Sequence, residues 1–267
     1  MRKIFLLLCC VSTLSSFAQD RSFARTYTSN VLPKGGIDLE LWHTSRFGHQ
    51  NQFYHAQDQR MELEVGLGKR LQTAFYFNRY QERLSEGTDE TTVETELGFS
   101  NEWKLQLSDA GKNKLGSAVY AEWGIKGGDE LELETKIILD KSFGKNLIAF
   151  NAVSEYEREF AWKDSKTVSE WKAPVELNLA YMYNLSISTG IGFEILSHNQ
   201  IVQHNGWENS VLFGGPTFNY RGNGWFVIAN YLPQWGNLRK TIYAPNSKVL
   251  DENERAEARI LVGISLK

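Results

Sequence analysis

Cysteine is almost missing from this chain: among 267 residues there are two, Cys9 and Cys10. Both lie in an opening segment with a basic start, "MRK", an apolar stretch, "IFLLLCCVSTL", and small residues, Ser16 and Ala18, at the −3 and −1 positions of a cleavage site. That pattern predicts a secretory signal peptide over residues 1–18. Large leucines stand where a lipoprotein signal needs small residues. The mature chain would then hold no thiol, which excludes a disulfide framework, a zinc–cysteine site and a cysteine nucleophile.

Excess positive charge is lacking as well. Without Arg2 and Lys3 the chain has 27 basic against 32 acidic residues, a net charge of −5. Nucleic acid is therefore not an expected partner. Beyond the signal no apolar run reaches 18 residues, and mean hydropathy is −0.39. A helical membrane protein is excluded, but a β-barrel is not, because its polar interior dilutes the membrane signal.

Helical spacing is nearly absent, and a two-residue period fills the space. In "RMELEVGLGKRLQTAFYFNRY", residues 60–80, Arg60, Glu62 and Glu64 alternate with Met61, Leu63, Val65 and Leu67. Twelve strands are predicted, at about 36–47, 58–67, 71–82, 92–107, 117–126, 131–141, 147–158, 171–183, 185–196, 210–220, 225–233 and 255–267. Most are as long as the roughly 9–11 residues that a tilted strand needs to cross a bilayer. Connections alternate: tight at 68–70, 141–146, 184 and 221–224, and long at 48–57, 83–91, 159–170, 197–209 and 234–254. Short periplasmic turns and long outer loops have that rhythm. Residues 108–116 (long for a turn) and 126–130 (short for a loop) break it. Trp42, Trp103, Trp123, Trp225 and Trp235 lie near strand ends, as interfacial aromatic girdles would. The prediction is an all-β protein: a single antiparallel transmembrane β-barrel of about 12 strands over 36–267. An N-terminal periplasmic segment at 19–35 precedes it, and both termini are periplasmic.

A charge facing lipid at mid-bilayer costs up to about 2–4 kcal/mol for Arg or Lys. The charged rows must then face inward. The expected solute pathway comprises Arg60, Glu62, Glu64, Glu94, Glu96, Glu122, Glu132, Glu134, Lys136 and Arg259. Further inward acids are Asp38, Glu40, Glu102, Asp140, Glu176, Glu194 and Glu257, with Lys104 and Lys126 as bases. Facing is ambiguous in the seventh, tenth and eleventh predicted strands. Such a lumen suits cations or positively charged solutes. The same residues could instead form ion-pair and hydrogen-bond ladders that close a narrow barrel.

The sequence carries no recognisable catalytic or metal motif. His198 and His204, with Glu208 nearby, fall in a loop whose spacing defines no metal geometry. A lipid hydrolase would need a serine–histidine pair on one outward patch. His43 and Ser45 are two apart on the first strand, but no motif surrounds them. "GKNKLG" lacks the order of a phosphate loop. No enzyme, cofactor or metal is expected.

"ARTYTSNVLPKGGIDLELWHTSRFG" (24–48) with "RMELEVGLGKRLQTAFYFNRY", and "GGPTFNYRGNGWFVIANYLPQW" (214–235), resemble a group of bacterial outer-membrane β-barrel proteins. These are related to transporters of the MetA-pathway of phenol degradation. The resemblance implies a barrel exported to the outer membrane and passage of small molecules, with lipid and the barrel-assembly machinery as partners. The signal ending "FAQ" resembles those of Bacteroidetes-type bacteria. Two other functions stay open: a closed structural or surface-binding barrel acting through its long loops, and an outer-membrane lipid hydrolase.

Overall fold

The computed structural model describes residues 21–85, 91–163 and 166–267, so the expected signal peptide lies outside the described residues. The strands are β1 (Ile37–Phe47), β2 (Phe53–Gly68), β3 (Leu71–Ser85), β4 (Thr91–Ser108), β5 (Gly116–Lys126), β6 (Glu130–Phe143), β7 (Asn146–Lys163), β8 (Lys166–Lys172), β9 (Val175–Asn184), β10 (Thr189–Val202), β11 (Gly206–Arg221), β12 (Trp225–Asn237) and β13 (Ala256–Ser265). Each runs antiparallel to the next, except that β9 continues the line of β8, and β13 pairs with β1, from Asp38↔Ser265 to Phe47↔Ala256. This contact closes the sheet and leaves no edge.

β8 and β9 form one wall strand. The register against β7 continues through the break at Ala173–Pro174, from Ser154↔Val175 to Glu157↔Lys172. Proline has no N–H to give the ladder, but its carbonyl still accepts from Glu155 N at 3.0 Å. The wall is therefore a closed, antiparallel, 12-stranded barrel, as the alternation predicted.

The facing argument also holds for most strands. Glu40, Glu62 and Glu102 are buried, whereas Leu41, Met61 and Leu63 on the same or adjoining strands are exposed. Trp103, Trp123, Trp225 and Trp235 lie outside. Trp42 does not: it is only 6 % exposed and stacks against the Arg21 guanidinium at 4.0 Å, so it is a lumen residue and not part of a girdle.

Three expected loops are mostly strand. β2 starts at Phe53, β7 and β8 make a hairpin through 157–172, and β10 and β11 extend to Val202 and from Gly206. Above the apolar belt both faces of a strand meet water, so the two-residue contrast fades while backbone pairing continues. The connection between β12 and β13 does stay irregular. It folds inward, and Ala244 and Val249 pack with Leu196, Val211, Phe213 and Leu232.

The largest departure concerns the segment before β1. The sequence predicts a periplasmic segment at 19–35 ahead of the barrel, but residues 21–32 lie within the lumen. Phe23 packs with Leu147, Ala149, Ala180 and Met182, and Tyr27 with Trp42, Tyr120, Ile138 and Phe226. The chain then leaves over β2, where Gly35 N donates to Gly66 O and Gly66 N to Gly36 O. A Cβ on Gly66 would meet Pro33 O at 2.0 Å, so only glycine admits this crossing.

Candidate functional site

Residues 21–32 have no regular secondary structure, so their buried backbone groups need partners from side chains of the wall. Glu194 accepts from Ala24 N (3.2 Å), Arg25 N (2.9 Å) and Thr26 N (2.9 Å). Asn151 clamps the Tyr27 peptide, accepting from its N–H at 2.7 Å and donating to its carbonyl at 3.0 Å. Asp140 accepts from Ser29 N at 2.9 Å, and Gln72 from Leu32 N at 2.8 Å. Arg25 makes a two-pronged pair with Glu257, at 2.9 and 2.6 Å. Inward acids and amides from β3, β6, β7, β10 and β13 thus hold one short strand of chain across the barrel. No period in residues 21–32 signals this. The only trace in the sequence is the set of uncharged amides, such as Asn151 and Asn219, at inward positions.

This segment divides the interior. Toward the long-connection end lies a vestibule of about 430 Å³, whose lining includes Arg25 and Tyr27. Toward the turn end lies a cavity of about 640 Å³ that reaches Ser22, Thr28 and Asn30. Six of the ten expected pathway residues line the vestibule: Arg60, Glu122, Glu132, Glu134, Lys136 and Arg259. Glu62 and Glu64 lie deeper. Glu62 accepts from Tyr76 Oη at 2.8 Å and Glu64 from Gln72 Nε2 at 3.0 Å. Glu94 and Glu96 do face the expected side of β4, but they are exposed on the extended hairpin and outside the vestibule lining. Glu96 pairs with Lys126 at 3.7 Å. Sequence reasoning missed Glu155 and Glu157 of β7, and the loop acids Glu252 and Glu254, all of which line the vestibule.

The vestibule acids are arranged in rungs. Glu102↔Glu122, Glu122↔Glu134 and Glu134↔Glu155 are direct cross-strand neighbours on β4 to β7. Along this rung the partners differ from acid to acid. Glu102 is bonded to Tyr76, Glu122 to Tyr120 with Arg60 at 3.9 Å, and Glu134 to Lys136 at 2.7 Å. Among the described residues the Glu155 carboxylate has no hydrogen bond or ion pair. The rung above, Glu132↔Glu157, is likewise unpaired by any base within 4.0 Å.

Deeper in, Glu40, Glu62 and Glu64 form the one group among the described residues whose carboxylate oxygens come within 4.8 Å of one another. Arg21 reaches into the same place, with its NH1 3.4 Å from Glu40. A guanidinium thus already pairs with one of the three carboxylates.

Outside the wall, His43 Nε2 and Ser45 Oγ are 3.1 Å apart, the spacing of a base and a nucleophile. Among the described residues no carboxylate or amide is bonded to the other ring nitrogen, so the orienting group of a hydrolase is lacking. His198 is not a loop residue: it lies on β10, bonded to Glu176 at 3.0 Å and Gln200 at 3.1 Å. His204 sits apart, in a separate cleft with Glu208.

The wall has known counterparts. The COG4313 outer membrane channel from Pseudomonas putida F1 is similar, with a TM-score of 0.59 at 10 % identity over 89 % of this chain and 98 % of that one. The β domain of the Bordetella autotransporter BrkA is similar at TM-score 0.58 and 10 % identity, over 87 % of this chain and 100 % of that one. The translocator domain of autotransporter NalP from Neisseria meningitidis gives 0.54 and 10 %, over 86 % and 88 %. At such identity these likenesses describe the fold, which is that of bacterial outer-membrane barrels. No curated protein matches the sequence. Residues 15–266 match the model of DUF6662, a family of unknown function, and the chain belongs to that family.

Proposed function

We propose that this protein resides in the bacterial outer membrane and passes small polar or cationic solutes through a carboxylate-rich lumen, with residues 21–32 as its movable barrier. One observation carries the reading. Two cavities, one from each end, meet at the same short segment, which is held by side-chain bonds and is not woven into the sheet. A barrel built only as a scaffold would have no use for an open vestibule whose acids are partly unneutralised. Like charges set directly opposite destabilise a sheet, so their retention fits a lumen that receives cations. The reading is non-catalytic.

The test is conductance of the refolded mature protein in planar bilayers under a salt gradient. Discrete cation-selective steps are expected, rarer in the native chain than in a Glu194→Gln variant with a loosened segment. If both proteins fold and both stay silent, the barrel is closed, and its role passes to the long connections as a surface-binding protein.

A further inference from the structure

We propose that the β6–β7 side of the vestibule is a binding site for a linear organic polycation, a chain of ammonium groups joined by short methylene linkers. This names the solute class for the lumen and rests on that lumen being open to solutes from the long-connection end.

The first argument is spacing. Glu155 and Glu157 alternate on one strand face, and Glu134 and Glu132 match them across the ladder. Successive inward positions on a strand are ~6.6–7 Å apart. Two ammonium groups joined by four methylenes are separated by nearly that distance. The Glu132–Glu157 rung thus offers a carboxylate pair to one charge of an extended chain, and Glu155, beside the Lys136-bonded Glu134, offers a carboxylate to the next.

The second argument separates this ligand from a metal ion. A divalent ion such as Mg²⁺ or Ca²⁺ needs its oxygens within about 2.0–2.6 Å of one centre. Among the described residues only Glu40, Glu62 and Glu64 converge as a close group of three, and they lie below the segment, not in the vestibule. The vestibule carboxylates are spread out, so they suit an elongated charge and not a point charge.

The third argument is independent of the acids. Asn178 lines the vestibule, is 4 % exposed, and its Oδ1 is buried without a hydrogen-bond partner. A buried unsatisfied acceptor costs about 1–3 kcal/mol, and an ammonium donor entering the cavity would remove that cost. Val153, two residues before Glu155 on β7, lines the same vestibule and supplies apolar surface for a linker, as do Tyr80 of β3 and Leu196 of β10 from other parts of its lining.

The test is calorimetry on the refolded mature protein in detergent at fixed ionic strength, with spermidine, butylamine and Mg²⁺ as probes. Spermidine is expected to bind at a single site at least tenfold more tightly than butylamine or Mg²⁺. Glu155→Gln with Glu157→Gln should weaken spermidine at least tenfold, and Asn178→Leu should weaken it severalfold. Glu94→Gln with Glu96→Gln, outside the vestibule, should leave it unchanged. Equal binding of spermidine and Mg²⁺, or equal losses in the Glu94/Glu96 pair, would reduce the effect to general charge screening and overturn the site. The comparison of probes on the native protein needs no variant, so a misfolded mutant cannot mask the answer. Spermidine binding in a barrel that never conducts would sink the pathway and leave the site standing.

Discussion

Glu194 and Arg25 are 169 residues apart in sequence, yet the Arg25 backbone N–H donates to the Glu194 carboxylate at 2.9 Å. With Ala24 and Thr26, that carboxylate gathers three successive backbone donors. It also accepts from Asn230 Nδ2 at 3.1 Å. A carboxylate in this position acts as a latch for the whole inserted segment. Hydrogen bonds to a charged group contribute about 1.5–3 kcal/mol each. Glu194→Gln keeps the shape, loses the charge and brings donors toward donors. The open population should rise at least tenfold, read as open probability in bilayers or as protease access to residues 21–32. Unchanged values for both would show that the latch lies elsewhere.

Arg25 and Glu257 form the second tie, with side chains 20 % and 2 % exposed. Breaking a buried pair on one side leaves the other charge unmatched, at a cost of about 3–5 kcal/mol. Arg259 lies 3.9 Å from the same carboxylate and would share the released charge, so the lower end applies. Arg25→Met and Glu257→Gln should each destabilise the folded barrel by about 3 kcal/mol. The double variant should cost clearly less than the sum. Urea unfolding in lipid vesicles measures the cycle, and simple additivity would mean the pair is not coupled.

The outward face makes a different demand. Leu63 is exposed on β2 between the buried Glu62 and Glu64. Arginine there would face acyl chains and cost about 2–4 kcal/mol near mid-bilayer. Leu63→Ala should cost less, since it adds no charge. A loss under 1 kcal/mol for Leu63→Arg would place this strip at the water boundary.

The turn joining β2 to β3 carries stored backbone strain. Gly68, Lys69 and Arg70 all have positive φ, at 83°, 53° and 67°. Two consecutive positive-φ residues are the geometry of a tight hairpin turn that favours Asn-Gly. Arg70 donates to Leu107 O at 2.8 Å, which offsets part of the strain. Arg70→Gly would lose that bond and relieve the backbone, so its effect should be near zero. Lys69→Asn, which keeps the bond, should stabilise the barrel by about 0.5 kcal/mol. Midpoint shifts in denaturant would report both values.

One pH dependence can be stated outside the wall. Asp109, in the connection after β4, has its carboxyl held below the ordinary range. The Gly111 N–H donating at 2.8 Å is the main cause, with Lys112 at 3.3 Å adding to it. A depressed folded value gives stability that is present above the unfolded value and lost as pH falls through the folded one. Asp109→Asn should therefore flatten a small part of the acid limb of the stability curve below about pH 4. An identical acid limb in the variant would show no such contribution.

Much of the wall was legible because lipid imposes a strict rule on every second residue. Met61, Leu63 and Leu67 could face only outward, and Glu62 and Glu64 only inward. The same rule found six vestibule residues. Glu94 and Glu96 obey it too, but β4 carries them beyond the belt, where water meets both faces, and outside the vestibule lining. On β7 the rule left the facing open, since Phe150, Ala152 and Ser154 mix small and large side chains and blur the alternation around Glu155 and Glu157.

What the sequence by itself determined was the closed sheet, its strand number and the side on which most of the charge rows lie. Backbone pairing and lipid exclusion act locally along each strand, so they leave a period to be read. Only the tertiary structure decided what fills the barrel. Residues 21–32 have no period, and their place depends on Glu194, Asn151, Asp140 and Gln72, brought together from distant strands by closure. An extended segment satisfied by side chains of its container leaves no pattern in its own residues, because the pattern belongs to the wall.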